Sequence, residues 1–143
     1  MTLNIFCDGG SRGNPGNAAC AFVAKDPTGI IIHKAGKFLG VATNNQAEYQ
    51  AVIFALEWLS SVGADPCVRP QQYTDIHFHL DSILVVSQIN GLFKIKNSGL
   101  RNLLFKIRQL ESEIKGKIIY SQIPREKNYE ADLLVNQTLD NLS

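Results

Sequence analysis

Four carboxylates, Asp8, Glu48, Asp81 and Asp132, stand at the edges of regular segments. Asp8 ends a short apolar run, Glu48 lies early in an apolar stretch, Asp81 closes an alternating segment, and Asp132 opens the last amphipathic one. Strand ends in mixed α/β sheets are where sites assemble, because the loops there expose functional groups on a rigid base. Carboxylates crowded together without a cation repel one another and take up protons, whereas a hard divalent cation binds their oxygens and offsets the charge. If the four converge, the chemistry they imply is that of a divalent metal.

Each acid also has a plainer reading. Asp81 precedes an apolar helix and suits an N-cap. Asp132 suits a solvated helix face or a partner for the helix dipole, and Asp8 could initiate a turn. Glu48 is harder to dismiss. The other acid of its helix, Glu57, is nine positions on, and at about 100° per residue it falls on the opposite face.

The elements that would position these acids can be read along the chain. Residues 2–8 form a strand, and Gly9 to Gly16 are almost pure turn chemistry, read as a glycine-rich loop. Residues 18–24 and 29–38 read as two more strands, hinged at Asp26-Pro27-Thr28-Gly29. Thr43-Asn44-Asn45-Gln46 has the form of a capping box and starts a helix reaching about Ser60, apolar nearly all round. Residues 63–74 read as a loop and are assigned no function. Ile76-His77-Phe78-His79-Leu80 alternates as a half-buried strand, and a helix follows Asp81. Leu103, Ile107, Leu110 and Ile114 recur at helical spacing, residues 117–123 form a fifth strand, and Ala131, Val135, Thr138 and Leu142 mark a C-terminal helix. The order β-β-β-α-β-α-α-β-α implies an α/β domain with a mixed sheet flanked by helices.

A chain of 143 residues, 45% hydrophobic and 19% charged, fits one globular domain, 1–143. The N-terminus has neither a basic region nor a long apolar stretch, and no segment approaches a membrane span, so a cytoplasmic protein without membrane association is expected. Cys7, Cys20 and Cys67 form no CxxC pair and read as small buried hydrophobes, which argues against zinc. Net charge is +1, so a polyanionic partner must be met by local patches. One such patch is the stretch 91–110, with Lys94, Lys96, Arg101, Lys106 and Arg108 and no acid.

Taken in order, Asp8-Gly9-Gly10-Ser11-x-Gly13-Asn14-Pro15-Gly16, Thr43-Asn44-Asn45-Gln46-Ala47-Glu48-Tyr49, Asp81-Ser82, and Arg125-Glu126-x-Asn128-x-x-Ala131-Asp132 closely resemble the type 1 ribonuclease H family. The resemblance runs from about Leu3 to Leu139. It implies the ribonuclease H-like fold, a five-stranded mixed sheet of order 3-2-1-4-5. It also implies metal ligands at Asp8, Glu48, Asp81 and Asp132, and hydrolysis of the RNA strand of RNA/DNA hybrids with two Mg²⁺ or Mn²⁺ ions, leaving 5′-phosphate and 3′-hydroxyl ends. Asn14, Asn44 and Asn45 correspond to family positions that touch the minor groove, the run Gly9, Gly10, Ser11, Arg12 and Gly13 would let backbone groups reach the sugar edge, and Thr43 corresponds to part of a pocket for a DNA phosphate. Phe93, Lys94 and Lys96 stand where the family often sets an aromatic and basic residues against the DNA strand.

The chain departs from many bacterial members in two ways. It has no histidine in the loop before the last ligand, and the segment after Asp81 is too short for a long basic protrusion. Pro124-Arg125-Glu126 instead resembles the archaeal-type branch, which implies a catalytic role for Arg125 near the scissile phosphate. His77 and His79, on one side of a strand, read as structural. A monomer is expected. Two alternatives stay open: the same site acting also on double-stranded RNA, and a nucleic-acid binding module without catalysis.

Overall fold

The computed structural model describes residues 1–62 and 73–141. Strands β1 (Thr2–Gly13), β2 (Gly16–Lys25), β3 (Ile31–Ala42), β4 (Asp75–Leu80) and β5 (Lys117–Gln122) form one sheet in the order 3-2-1-4-5. The first three make an antiparallel meander, and β4 and β5 add in parallel beyond β1. Helices α1 (Asn44–Ser61), α2 (Ile83–Ile89), α3 (Ser98–Glu111) and α4 (Tyr129–Asp140) complete the domain, with a short 3-10 turn at Arg125–Lys127. Fold class, element order and sheet order are those expected from the sequence. Cys67, Leu142 and the expected loop 63–74, apart from Tyr73 and Thr74, lie outside the described residues. No helix among the described residues is long and apolar enough to cross a membrane.

The main core lies between the sheet and α1. Leu3, Ile5 and Cys7 alternate along β1 and pack with Cys20, Phe22 and Ala24 of β2 against Ala51, Val52, Ala55 and Leu56. A second cluster joins Ala19 and Ala21 of β2 to Val135 and Leu139 of α4. Strand β2 is therefore buried on both faces, which explains its near-continuous apolar run. The sheet is clamped between α1 and α4, and both helices carry candidate acids.

Two local expectations are corrected. The glycine-rich segment after Asp8 is strand: Gly9 pairs with Cys20, Gly10 with Ala19, and the ladder continues to Gly13 opposite Gly16, leaving only Asn14-Pro15 at the tip. The glycine at position 9 serves close approach, since a β-carbon there would collide with the backbone carbonyl of Ala47 in α1. Within this segment only Gly13, at φ 94°, uses the left-handed freedom of the residue. The second correction concerns α2. Its cap is Ser82, whose Oγ accepts from the Val85 amide at 3.2 Å, so the Asp81 carboxylate is not needed as a cap.

The histidines of β4 have the structural partners expected. His77 Nε2 lies 2.7 Å from Ser121 Oγ, and His79 Nε2 lies 2.9 Å from Asn4 Oδ1. The His79 ring lies between those of His77 and Phe6.

Candidate active site

Three structural devices bring the acids together. The capping box closes as its sequence implies: Thr43 Oγ1 accepts from the Gln46 amide at 3.1 Å, and Gln46 Oε1 accepts from the Thr43 amide at 2.9 Å. This fixes the first turns of α1, and Glu48 comes to lie under β1, where its Oε1 accepts from the Gly9 amide at 3.4 Å. Asp8 sits on the adjoining residue of β1, and Asp81 stands just past the end of β4, the parallel neighbour of β1. One oxygen from each of Asp8, Glu48 and Asp81 falls within a group spanning at most 4.8 Å.

Asp132 is not part of that tight group. It lies one turn into α4 and lines the same cleft, of about 330 Å³, with Asp8, Glu48, Asp81 and Arg125. The Arg125 guanidinium, 81% exposed, approaches Asp132 Oδ1 to 3.7 Å. Arg125 therefore stands at the rim, next to the fourth acid.

The electrostatics follow from crowding in a half-dry cleft. Burial, then the charge of Asp81, push the Asp8 carboxyl up to about 7; Asp132 adds to this, while the neighbouring Glu48 side chain opposes it. Burial, then the charge of Asp8, raise Glu48 well above the usual carboxylate range. The other Glu48 oxygen, Oε2, is buried and has no hydrogen-bond partner. An all-oxygen donor set with one buried, unsatisfied oxygen fits a hard divalent cation.

The sign of the Asp8 shift has a consequence for stability. Its folded-state value lies above the ordinary 3.8, so the metal-free folded state holds a proton that the unfolded chain releases. Metal-free stability should then fall as pH rises from about 4 to about 7 and stay low above that. Asp8→Asn removes this liability. In chelator the variant should melt above wild type at about pH 8, with the gap closing toward about pH 4. Thermal melts across that range check this, and a gap independent of pH would contradict it.

The other sequence-selected residues fall into two groups. At the cleft, Gly10, Ser11, Arg12 and Asn44 line its wall. Asn44 Oδ1 accepts from the Ser11 amide at 2.9 Å, and Asn14 Oδ1 accepts from the Asn44 amide at 3.0 Å. This pair of bonds ties the exposed β1–β2 tip, with Gly13 and Asn14, to the N-terminus of α1, where Asn45 and the cap Thr43 also lie. Gly9 is buried, its amide engaged by Glu48, and Arg12 pairs with Asp140 at 2.6 Å.

Away from the carboxylates, Phe93, Lys94 and Lys96 occupy the connection between α2 and α3. The amides of Leu92 and Phe93 bond Ser87 O at 2.8 and 3.3 Å, which ties down the start of this connection. Phe93 is 50% exposed and so is not part of the core.

Sequence reading assigns no role to Asn128, Tyr49 or Gln88. Tyr49 donates to Gln88 Oε1 at 2.7 Å in the interior, linking α1 to α2. Asn128 donates to Cys7 O and to Asp81 Oδ2. The signals pointing to Asn128 are its place in the motif Arg125-Glu126-x-Asn128-x-x-Ala131-Asp132 and its spacing, four residues before Asp132.

A mixed sheet of order 3-2-1-4-5 with acids converging on β1, just past β4 and on the facing helices defines a ribonuclease H-like domain. Residues 6–138 match the family described as reverse transcriptase-like, and the chain belongs to that family, on its type 1 ribonuclease H side. It is 38% identical over 138 residues to ribonuclease HI of Halobacterium salinarum, covering 96% of this chain and 64% of that protein. It is 36% identical over 143 residues to a bifunctional protein of Mycobacterium tuberculosis, covering 98% of this chain and 36% of that one. The chain thus spans less than two-thirds of the length of these relatives.

Among solved structures, ribonuclease H1 of Halobacterium salinarum superposes with a TM-score of 0.87 at 35% identity, with 99% of each chain covered. A ribonuclease H1 isolated from compost, in complex with an RNA/DNA hybrid, gives 0.89 at 39% identity, again with 99% of each chain covered.

Proposed function

We propose that the protein is an endonuclease that hydrolyses the RNA strand of RNA/DNA hybrids, with Asp8, Glu48, Asp81 and Asp132 holding two Mg²⁺ or Mn²⁺ ions. The observation that carries this reading is the cluster of three carboxylates within 4.8 Å, in a cleft where a buried Glu48 oxygen lacks a donor. The likeness to a ribonuclease H1 solved with a hybrid supports the substrate. When bound, the cations supply Lewis acidity toward the phosphodiester and offset the charge that builds on it. Attack by water on the phosphorus with cleavage of the P–O3′ bond would leave a 5′-phosphate and, once the departing oxygen is protonated, a 3′-hydroxyl. The same proposal takes the protein to be a cytoplasmic monomer, with 1–143 acting as one domain.

The chain's own groups orient the substrate. The tip of β1–β2 and the first residues of α1, joined through Ser11, Asn44 and Asn14, offer small polar groups to the minor groove, where the 2′-hydroxyls mark an RNA strand. Arg125 is exposed, and a guanidinium offers a cationic fork of donors and no acceptor, so its part is to attract the phosphate. Arg125→Lys should accordingly retain more turnover than Arg125→Ala. Equal rates for wild type and Arg125→Ala would leave it no role.

Lys94 and Lys96, beside the half-exposed Phe93, are assigned to phosphates of the DNA strand. Each phosphate that is no longer neutralised should flatten the log-log salt dependence of binding by about 0.9 on a B-form duplex, with a similar order on a hybrid. Lys94→Ala/Lys96→Ala should raise KM more than it lowers kcat. An unchanged salt slope and affinity would show that this connection does not touch the hybrid.

A panel of matched RNA/DNA hybrid, duplex RNA and duplex DNA, each with Mg²⁺, Mn²⁺ or chelator, tests the whole reading. Metal-dependent cleavage of the hybrid's RNA strand is expected. Cleavage of duplex RNA alone would replace the substrate, and binding without cleavage would make the protein a binding module.

A further inference from the structure

We propose that Asn128 is a positioning residue whose amide holds Asp81 against the backbone beside Asp8 and thereby sets the affinity of the site for divalent cations. This rests on the metal reading above and adds to it a residue that is not itself a ligand. Asn128 is 1% exposed. Its Nδ2 donates to Cys7 O at 2.8 Å and to Asp81 Oδ2 at 3.4 Å, and Cys7 immediately precedes Asp8. Its own carbonyl accepts from the Asp132 amide at 3.1 Å, in the opening turn of α4. Three of the four acid-bearing segments therefore meet at one side chain and its backbone.

The chemistry of the residue type supports the assignment. An amide nitrogen carries two hydrogens in a planar fork, and here both have acceptors. An ionised aspartate has no such hydrogen and serine has one. The orientation of the amide is determined, because turning it would set its oxygen against two other acceptors. Meanwhile Asn128 Oδ1 is buried without a partner, so an amide at this point costs stability that an apolar residue of similar size would not. A residue serving packing alone has no need of that group. What the fork does is oppose the mutual repulsion of Asp8, Glu48 and Asp81, keeping Asp81 within reach of a shared cation. Side chains that orient metal ligands typically change metal affinity or activity by about 10–100-fold when removed.

The test is Mn²⁺ binding to chelator-stripped wild type, Asn128→Ala and Asn128→Ser, followed without substrate by electron paramagnetic resonance of the free ion. Asn128→Ala should bind roughly tenfold to a hundredfold more weakly, with Asn128→Ser between it and wild type. Hybrid hydrolysis gives a second readout: turnover should recover as Mn²⁺ is raised to saturation, while KM for the hybrid stays unchanged. A purely structural role would not be rescued by metal. Wild-type Mn²⁺ affinity in a folded Asn128→Ala protein would overturn the inference, as would a turnover deficit that saturating Mn²⁺ does not correct. If Asn128→Ala fails to fold, Asn128→Ser decides by the same titration, and failure of both to fold would make the residue structural and overturn the proposal. Absence of Mn²⁺ binding by wild type would instead remove the metal reading itself, and this inference with it.

Discussion

Asp81→Asn and Asp8→Asn should each keep the fold and abolish nearly all hydrolysis of an RNA/DNA hybrid. Both side chains contribute an oxygen to the group that spans 4.8 Å, and Asn removes ligand charge with almost no change in volume. A metal site of this kind supplies several kcal/mol of charge stabilisation, and several kcal/mol correspond to a drop of roughly a hundredfold to ten-thousandfold in rate. For Asp8→Asn the fall in activity should accompany a rise in metal-free stability at neutral pH, because the carboxyl is held up at about 7 by burial and by Asp81. Activity and stability moving in opposite directions would set a functional acid apart from a supporting one. Single-turnover rates at saturating Mg²⁺ check the first part, and near-parental turnover in either folded variant would remove the metal-site assignment.

Gly9→Ala should be strongly damaging although it adds a single methyl. The added methyl would enter the backbone of Ala47, which cannot yield as a flexible side chain can, so β1 and α1 must move apart. Overpacking of this kind costs about 3 kcal/mol. The displacement falls on the residue before Glu48, and it also stretches the bond from the Gly9 amide to Glu48 Oε1, so metal affinity should fall together with stability. Urea denaturation and Mn²⁺ titration of the same preparation measure both. A variant within about 0.5 kcal/mol of wild type would show that the two elements are less tightly packed than the structure has them.

How much of this is legible from sequence depends on where the information lies. Strand and helix periods, the Thr43–Gln46 capping box and the turn at Asp26–Gly29 are local patterns, and they mark out the architecture. Glu48, Asp81 and Asp132 are legible because each stands just past the end or near the opening of an element; Asp8 lies inside β1, five residues before its end, and is marked only by the glycine run that follows it. The Gly9–Gly13 run reads as a loop although it is strand, because glycine marks both flexible turns and tight backbone approaches, and only the position of Ala47, 38 residues along the chain, distinguishes them. Asp81 suits a cap in the sequence, yet Ser82 caps α2, because a pattern alone does not separate neighbouring residues of capping type. The Asn128 fork joins residues 121 and 47 positions apart, a relation that no periodicity carries. Phe93 could be read as core or as surface, since a single aromatic beside glycine and lysine has no period; its half-exposure decides the matter.

The most direct measurement is cleavage of one hybrid duplex, its RNA strand labelled at both ends, with Mg²⁺, with Mn²⁺ and with chelator. Internal cuts in the RNA strand, leaving 5′-phosphate and 3′-hydroxyl ends only when a divalent ion is present, with the DNA strand intact, are the result predicted by the carboxylate site. Cutting that persists in chelator, or an RNA strand left whole with either metal, would contradict it.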